Sequence, residues 1–174
     1  MPDTGTEYIR YLQKAGCDPE VIAHSRVVHD VAIQIADRII KAGKIPVNRN
    51  LVAAGSILHD IGRSQTHGMD HADVGGKICR DFGLSPRICL IVERHIGAGL
   101  SGSERASFGL PYEDRVPDTI EEKIVAHADN LVKGIKVISR ADLDRANGKF
   151  PDMVRARFSS LANELESLAG SDLP

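Results

Sequence analysis

A histidine followed directly by an aspartate, His59-Asp60, stands where a run of small and apolar residues from Leu51 to Leu58 gives out. Adjacent imidazole and carboxylate groups at a helix end reach one point from slightly different angles, which suits two ligands of one metal ion. Gly62 comes two residues later, and a glycine in the left-handed conformation is expected to stop the helix there. His24, His71, His95 and Asp129 lie far away in the chain. Side chains of these types on separate helices converge inside bundles to build metal sites. His24, His59, Asp60 and Asp129 together offer two nitrogens and two oxygens, a set suited to Fe, Mn, Co, Ni or Zn more than to Mg or Ca alone.

The elements that must position these groups read as helices throughout. A short one near Thr6 to Lys14 stops at Gly16. Asp18, Pro19 and Glu20 supply a cap, a proline at the first helical position and an acid in the first turn of a second, which runs to about Ala42 before Gly43. Val21, His24, Val28, Val31 and Ile35 recur there at helical spacing, so His24 lies in an apolar stripe. Val47 to His59 forms the next helix, Arg63 to Asp70 a polar loop, and helical sequence resumes from His71 to Phe82-Gly83. Ser85-Pro86 opens another, carrying Ile88, Ile91, Val92 and His95, and the Gly-, Ser- and Pro-rich stretch 99–117 reads as loop. Thr119 and Glu122 have capping-box spacing, ahead of a helix with Ile120, Ile124, Leu131, Ile135 and Ile138 on its apolar side. A last amphipathic helix, with Met153, Phe158, Leu161, Leu165 and Leu168, follows Pro151. Strand-like alternation is absent, so the expected fold is all-α: a single-domain helical bundle with no sheet.

Length and composition narrow the function. With 174 residues the chain suits one domain with a proper core. A net charge of -2 argues against nucleic acid as an obligatory partner, and 4% aromatic residues with no Trp argue against a base-stacking platform. Cys17, Cys79 and Cys89 form no CxxC pair and read as small buried hydrophobes of a reducing compartment. Neither a signal peptide nor a membrane span is legible, so a cytoplasmic location is expected. A Walker-type phosphate loop, a Gly-x-Ser-x-Gly elbow and a Cys-His nucleophile are all missing, which removes motor chemistry and covalent catalysis.

The order His24, then His59-Asp60, then Asp129 resembles the HD-domain superfamily of metal-dependent phosphohydrolases. His24-Ser-Arg-Val-Val28 looks like its first-ligand helix, His59-Asp60-Ile61-Gly62 is its HDIG form, and Ala126-His127-Ala128-Asp129 resembles its final aspartate segment. The likeness spans about 19–137, with a C-terminal helix at about 151–169 expected to pack on that core. His71-Ala-Asp-Val-Gly75 and Glu93-Arg94-His95 look like the extra ligands of two-metal members, including bacterial hydrolases of diadenosine tetraphosphate. His95-Ile-Gly-Ala-Gly-Leu and 121–130 are most similar to small stand-alone archaeal HDIG proteins of unassigned substrate. The resemblance implies two divalent transition-metal ions on His24, His59, Asp60, His71, His95 and Asp129, with Asp60 as the bridge.

The implied activity is attack of metal-activated water on a phosphate ester or anhydride of a small phosphorylated compound, a nucleotide in the first instance. Asp60 and Arg63 are the expected catalytic residues. Arg63, His67 and Arg94 are the candidates for holding phosphate, Arg63 because a guanidinium presents a forked, permanent charge. A homodimer is compatible with all of this. Two other readings stay open: a regulator that binds metal and nucleotide without turnover, and a di-iron oxygenase. His29 reads as a surface histidine and His127 as a satisfied core one.

Overall fold

A computed structural model describes residues 5–170 and Leu173. Its architecture is organised by two helices that bury the apolar stripes legible in the chain. Helix α1 (Ile9–Ala15), preceded by a 3-10 turn at Thr6–Tyr8, ends at Gly16 with φ 84°. Helix α2 (Pro19–Ala42) is the longest, and Gly43 closes it at φ 66°. Val21, Val28, Val31, Ala32, Ile35 and Ile39 form its buried face. Asp18 occupies the cap position, but its side chain makes no capping hydrogen bond; Pro19, whose ring presets the helical φ, starts the helix.

Helix α3 (Arg49–Leu58) is buried on every side from Leu51 to Leu58, as befits a central helix. Asn48 caps it by accepting from the Leu51 amide at 3.0 Å. Small residues allow neighbours to close in: a Cβ on Gly55 would sit 2.6 Å from Ile91 Cγ2. Helices α4 (His71–Asp81) and α5 (Pro86–Glu93) pack together, with Ser85 capping the second. Helix α7 (Ile120–Asn130) lies across α2 and α3, and α9 (Asp152–Ala169) seals α2 and α7 with Leu161, Ala162 and Leu165.

Five local expectations are corrected. The 99–117 stretch contains α6 (Gly102–Ser107), six residues long with a full capping box between Ser101 and Glu104; so few apolar residues leave no periodic signal. His95 lies two residues beyond the end of α5 rather than on it. The apolar series after Thr119 does not continue along one helix. The chain turns at Gly134 (φ 61°) into a two-residue hairpin, β1 (Val132–Lys133) and β2 (Lys136–Val137), leaving Ile135 70% exposed, and then forms α8 (Arg140–Ala146). The fold is all-α apart from this hairpin. Met153, placed on the buried face by its spacing, is exposed.

Gly62 is the fifth. It is not among the glycines with positive φ, so it does not stop α3 by a left-handed turn. Its requirement is contact: a Cβ there would lie 1.8 Å from the His71 carbonyl oxygen and 2.7 Å from the Gly75 amide nitrogen. The 3-10 turn at Ile61–Ser64 therefore packs backbone to backbone on α4, and glycine is the residue that permits it. Gly62→Ala is expected to cost roughly 2–4 kcal/mol, because neither backbone can yield without moving His71. Urea unfolding of the two proteins at matched pH checks this, and an unchanged midpoint counts against the close approach.

Candidate metal centre

Each histidine of the candidate set has one ring nitrogen tied to a backbone carbonyl. His59 Nδ1 donates to Ser56 O at 2.8 Å, His71 Nδ1 to Gly68 O at 2.8 Å, and His95 Nδ1 to Val92 O at 2.7 Å. In all three the acceptor lies three residues upstream: near the end of α3 for His59, just before α4 for His71 and near the end of α5 for His95. His24 Nδ1 instead donates to Gly134 O at 2.6 Å, across 110 positions of sequence, at the tip of the hairpin. A carbonyl only accepts, so every Nδ1 carries a proton, and Nε2 is the nitrogen that each ring turns inward, where it can take a second proton or a metal ion.

These inward nitrogens meet two carboxylates. Asp129 Oδ1 lies 3.0 Å from His24 Nε2 and 3.5 Å from His59 Nε2. The two oxygens of Asp60 divide between two groups. Oδ2 faces His59 and His24 at 3.6 and 3.9 Å, whereas Oδ1 faces His71 and His95 at 3.2 and 3.5 Å. His71 Nε2 and His95 Nε2 stand 3.1 Å apart. The ligand atoms of His24, His59 and Asp129 lie within 4.8 Å of one another, as do those of His59, Asp60 and His95.

The electrostatics call for positive charge. His59, His71 and His95 are buried, and Asp60 is only 5% exposed. His59 Nε2 and Asp60 Oδ1 are buried without a hydrogen-bond partner among the described residues. Burial opposes a proton on His59, but the Asp60 and Asp129 carboxylates outweigh it and raise that imidazole to about 9. Burial would likewise raise Asp60 and Asp129, yet the surrounding imidazoles hold both well below the usual carboxylate range. His95, whose burial counts most, is pushed down. A proton on His59 thus stands in for a cation. Facing imidazole nitrogens, one buried carboxylate and one half-buried carboxylate fit a divalent metal, and the nitrogen-rich donor set fits a transition metal better than Mg or Ca.

Other candidates fall outside the convergence. Arg63 Nε pairs with Asp60 Oδ2 at 2.8 Å, so this guanidinium braces a candidate ligand. Arg94 Nη1 meets buried Glu122 at 3.0 Å, so its guanidinium already has a carboxylate partner. His67 is exposed on the loop before α4 and joins no hydrogen bond of the centre. His29 is half-buried, with Nδ1 3.2 Å from Ser56 Oγ, rather than a free surface group. His127 is a core histidine, but an unsatisfied one: Nδ1 has no partner among the described residues, and burial followed by the nearby Arg140 lowers it to about 4. What the sequence did not reveal are the carbonyls that aim the imidazoles, Gly134 above all, because a hairpin of two-residue strands leaves no alternation to read.

Fold and centre define a helical domain whose histidines and aspartates are grouped so that they could hold a metal ion. The HD-domain family model matches residues 21–134, and the chain belongs to that family, whose members are in general metal-dependent phosphohydrolases that bind divalent metals. It is 46% identical over 134 residues, 77% of each chain, to an uncharacterized protein of Methanocaldococcus jannaschii. It is also 44% identical, over 99% of its length, to a tRNA (cytidine(56)-2'-O)-methyltransferase of Picrophilus torridus, of which it spans 49%. Among solved structures, the HD domain of the L. monocytogenes phosphodiesterase PgpH in complex with cyclic-di-AMP aligns with TM-score 0.58 at 16% identity, covering 97% of this chain and 99% of that one; this likeness concerns the fold. No helix among the described residues is long and apolar enough to cross a membrane.

Protein stripped with a chelator and then given Mn²⁺ at about a hundredfold its Kd is expected to gain about 3 kcal/mol, or 5–10 °C in Tm. Differential scanning calorimetry with and without metal checks this. A wild-type Tm indifferent to every transition metal tried would contradict the fit.

Proposed function

We propose that the chain is a two-metal phosphohydrolase acting on a small phosphorylated compound, a nucleotide above all. One observation carries the reading: the two oxygens of Asp60 address different sets of imidazoles, as a bridging carboxylate must. His24, His59 and Asp129 would hold one ion, His71 and His95 the second, and Asp60 both. Bound there, divalent metal supplies Lewis acidity toward phosphate oxygens and lowers the pKa of coordinated water.

The chain's own residues then have distinct tasks. The carbonyl-bound Nδ1 atoms keep each imidazole in the tautomer and orientation that leaves Nε2 free for a ligand role. Arg63, 31% exposed in its side chain, fixes Asp60 through Nε and lies where its charge is able to meet an incoming phosphate. His24 and Asp129, at 17 and 23% side-chain exposure, form the wetter side of the centre, from which substrate would enter. The cyclic dinucleotide in complex with the PgpH domain supports a nucleotide as substrate class. The methyltransferase description belongs to a relative about twice this length, whose remaining half lies outside the match.

Metal analysis of protein purified without chelator is expected to give two equivalents, and His95→Ala about one; a single equivalent in both would leave the second half-site idle. With a nucleotide panel, Asp60→Ala should abolish phosphate release. Arg63→Ala should raise KM more than it lowers kcat. Reaction in ¹⁸O-water should place label in the released phosphate; its absence would refute attack at phosphorus by water.

A further inference from the structure

Next to the centre, a cleft of about 310 Å³ opens between the 96–108 segment and the start of α9. Ile96, Leu100 and Phe108 line one wall, and Phe150, Val154 and Phe158 the other. Its position is tied to the metal ligands by covalent neighbours. Met69, also in the lining, precedes His71 by two residues, and Ile96 directly follows His95. Gly97 is braced by Asn130 Nδ2, which donates to its carbonyl at 3.0 Å, and Asn130 directly follows Asp129. The segments bearing three of the six candidate ligands therefore border or brace this cleft.

The lining has the two properties of a planar heterocycle's receptor. The Phe150 and Phe158 rings are parallel within 4°, their centroids 6.0 Å apart. Phe158 also lies against Gly97, where a Cβ would come within 3.0 Å of its ring. The second property is a polar edge. Arg157 Nη2 grips Glu104 at 2.7 and 2.8 Å, while Arg157 Nε is buried with no hydrogen-bond partner among the described residues. The paired Arg157 and Glu104 give the otherwise apolar lining one charged edge that hydrogen-bonding groups of a ligand could meet. An alkyl chain would leave that edge unused, and a bare sugar would waste the rings. The volume suits a single small ligand.

We propose that this cleft is the base-binding subsite, holding the nucleobase of a nucleotide whose phosphate reaches the centre. The assignment rests on the phosphohydrolase reading for its substrate, but its test separates the two. Binding of the four nucleosides, which carry no phosphate, is measured by saturation-transfer NMR on the full chain. It is compared with two variants at the cleft: Phe108→Ala, at an exposed position, and Val154→Arg, which fills the space. Calorimetry and metal content establish that both variants fold. In parallel, kcat and KM are determined for nucleoside 5'-monophosphates and for ribose 5-phosphate on the metal-loaded protein.

At least one nucleoside should bind wild type and lose roughly tenfold or more in affinity in Val154→Arg, the scale set by losing a stacked base. The KM preference for nucleotide over ribose 5-phosphate should collapse by a similar factor in both variants. If no nucleoside binds, or if Val154→Arg binds as well as wild type, the subsite is overturned, whether or not phosphate is released. If nucleosides bind and Val154→Arg weakens them, but no phosphate compound is hydrolysed, the cleft assignment stands and the phosphohydrolase reading falls.

Discussion

Two carboxylates, one nearly buried and one partly so, face four imidazoles whose Nε2 atoms all point inward, and most of the site's architecture answers that constraint. Asp60 and Asp129 cannot sit beside His24, His59, His71 and His95 in this geometry without positive charge among them. In metal-free protein a proton on His59 supplies part of it, which is why that imidazole is raised despite complete burial. Two lone pairs 3.1 Å apart, on His71 and His95, are tolerable only if something cationic comes between or a proton is taken up. The fold holds these groups where metal would stabilise it and where its loss would be felt.

The groups stay aimed because their outer nitrogens are spoken for by backbone. Three of the four imidazoles use a carbonyl three residues upstream, so ending or starting a helix at that place suffices to orient them. His24 is different, because its carbonyl belongs to Gly134 in a hairpin formed after the last ligand. One side of the centre is thereby coupled to a surface turn flanked by Lys133 and Lys136, both exposed. A similar dependence on close approach appears at Gly62, where two backbones touch and His71 is brought within reach of Asp60.

Charge elsewhere in the molecule is used structurally. Glu93, Glu121 and Glu122 are buried, each against an arginine: Arg80 and Arg115 for the first, Arg87 for the second, Arg94 for the third. These pairs clamp the ends of α4, α5 and α7, the helices that deliver His71, His95 and Asp129. Their own net contribution to stability is modest, since desolvation offsets the attraction, but removing one partner would strand a buried charge. Arg63, in contrast, pairs directly with a candidate ligand, Asp60.

The amino-acid sequence by itself determined most of the helices, several of their ends and the identities of the six candidate ligands. Apolar stripes of 3.6-residue period, Gly16 and Gly43 as stops, and proline at the start of α2 are local signals, each decided by a few neighbouring residues. The candidate ligands were legible from the order His24, His59-Asp60 and Asp129, which resembles the HD-domain pattern, since no one of these residues carries that signal alone. Tertiary structure decided everything that depends on a second segment. It assigned Asp60's two oxygens to different imidazoles, committed Arg94 to Glu122, left His127 buried and unsatisfied, and made Gly62 a contact glycine rather than a helix stop. It also supplied the Gly134 carbonyl to His24 from a hairpin too short to leave a pattern. A side chain's type is written in the chain; which atom it faces across 110 positions is set by packing alone.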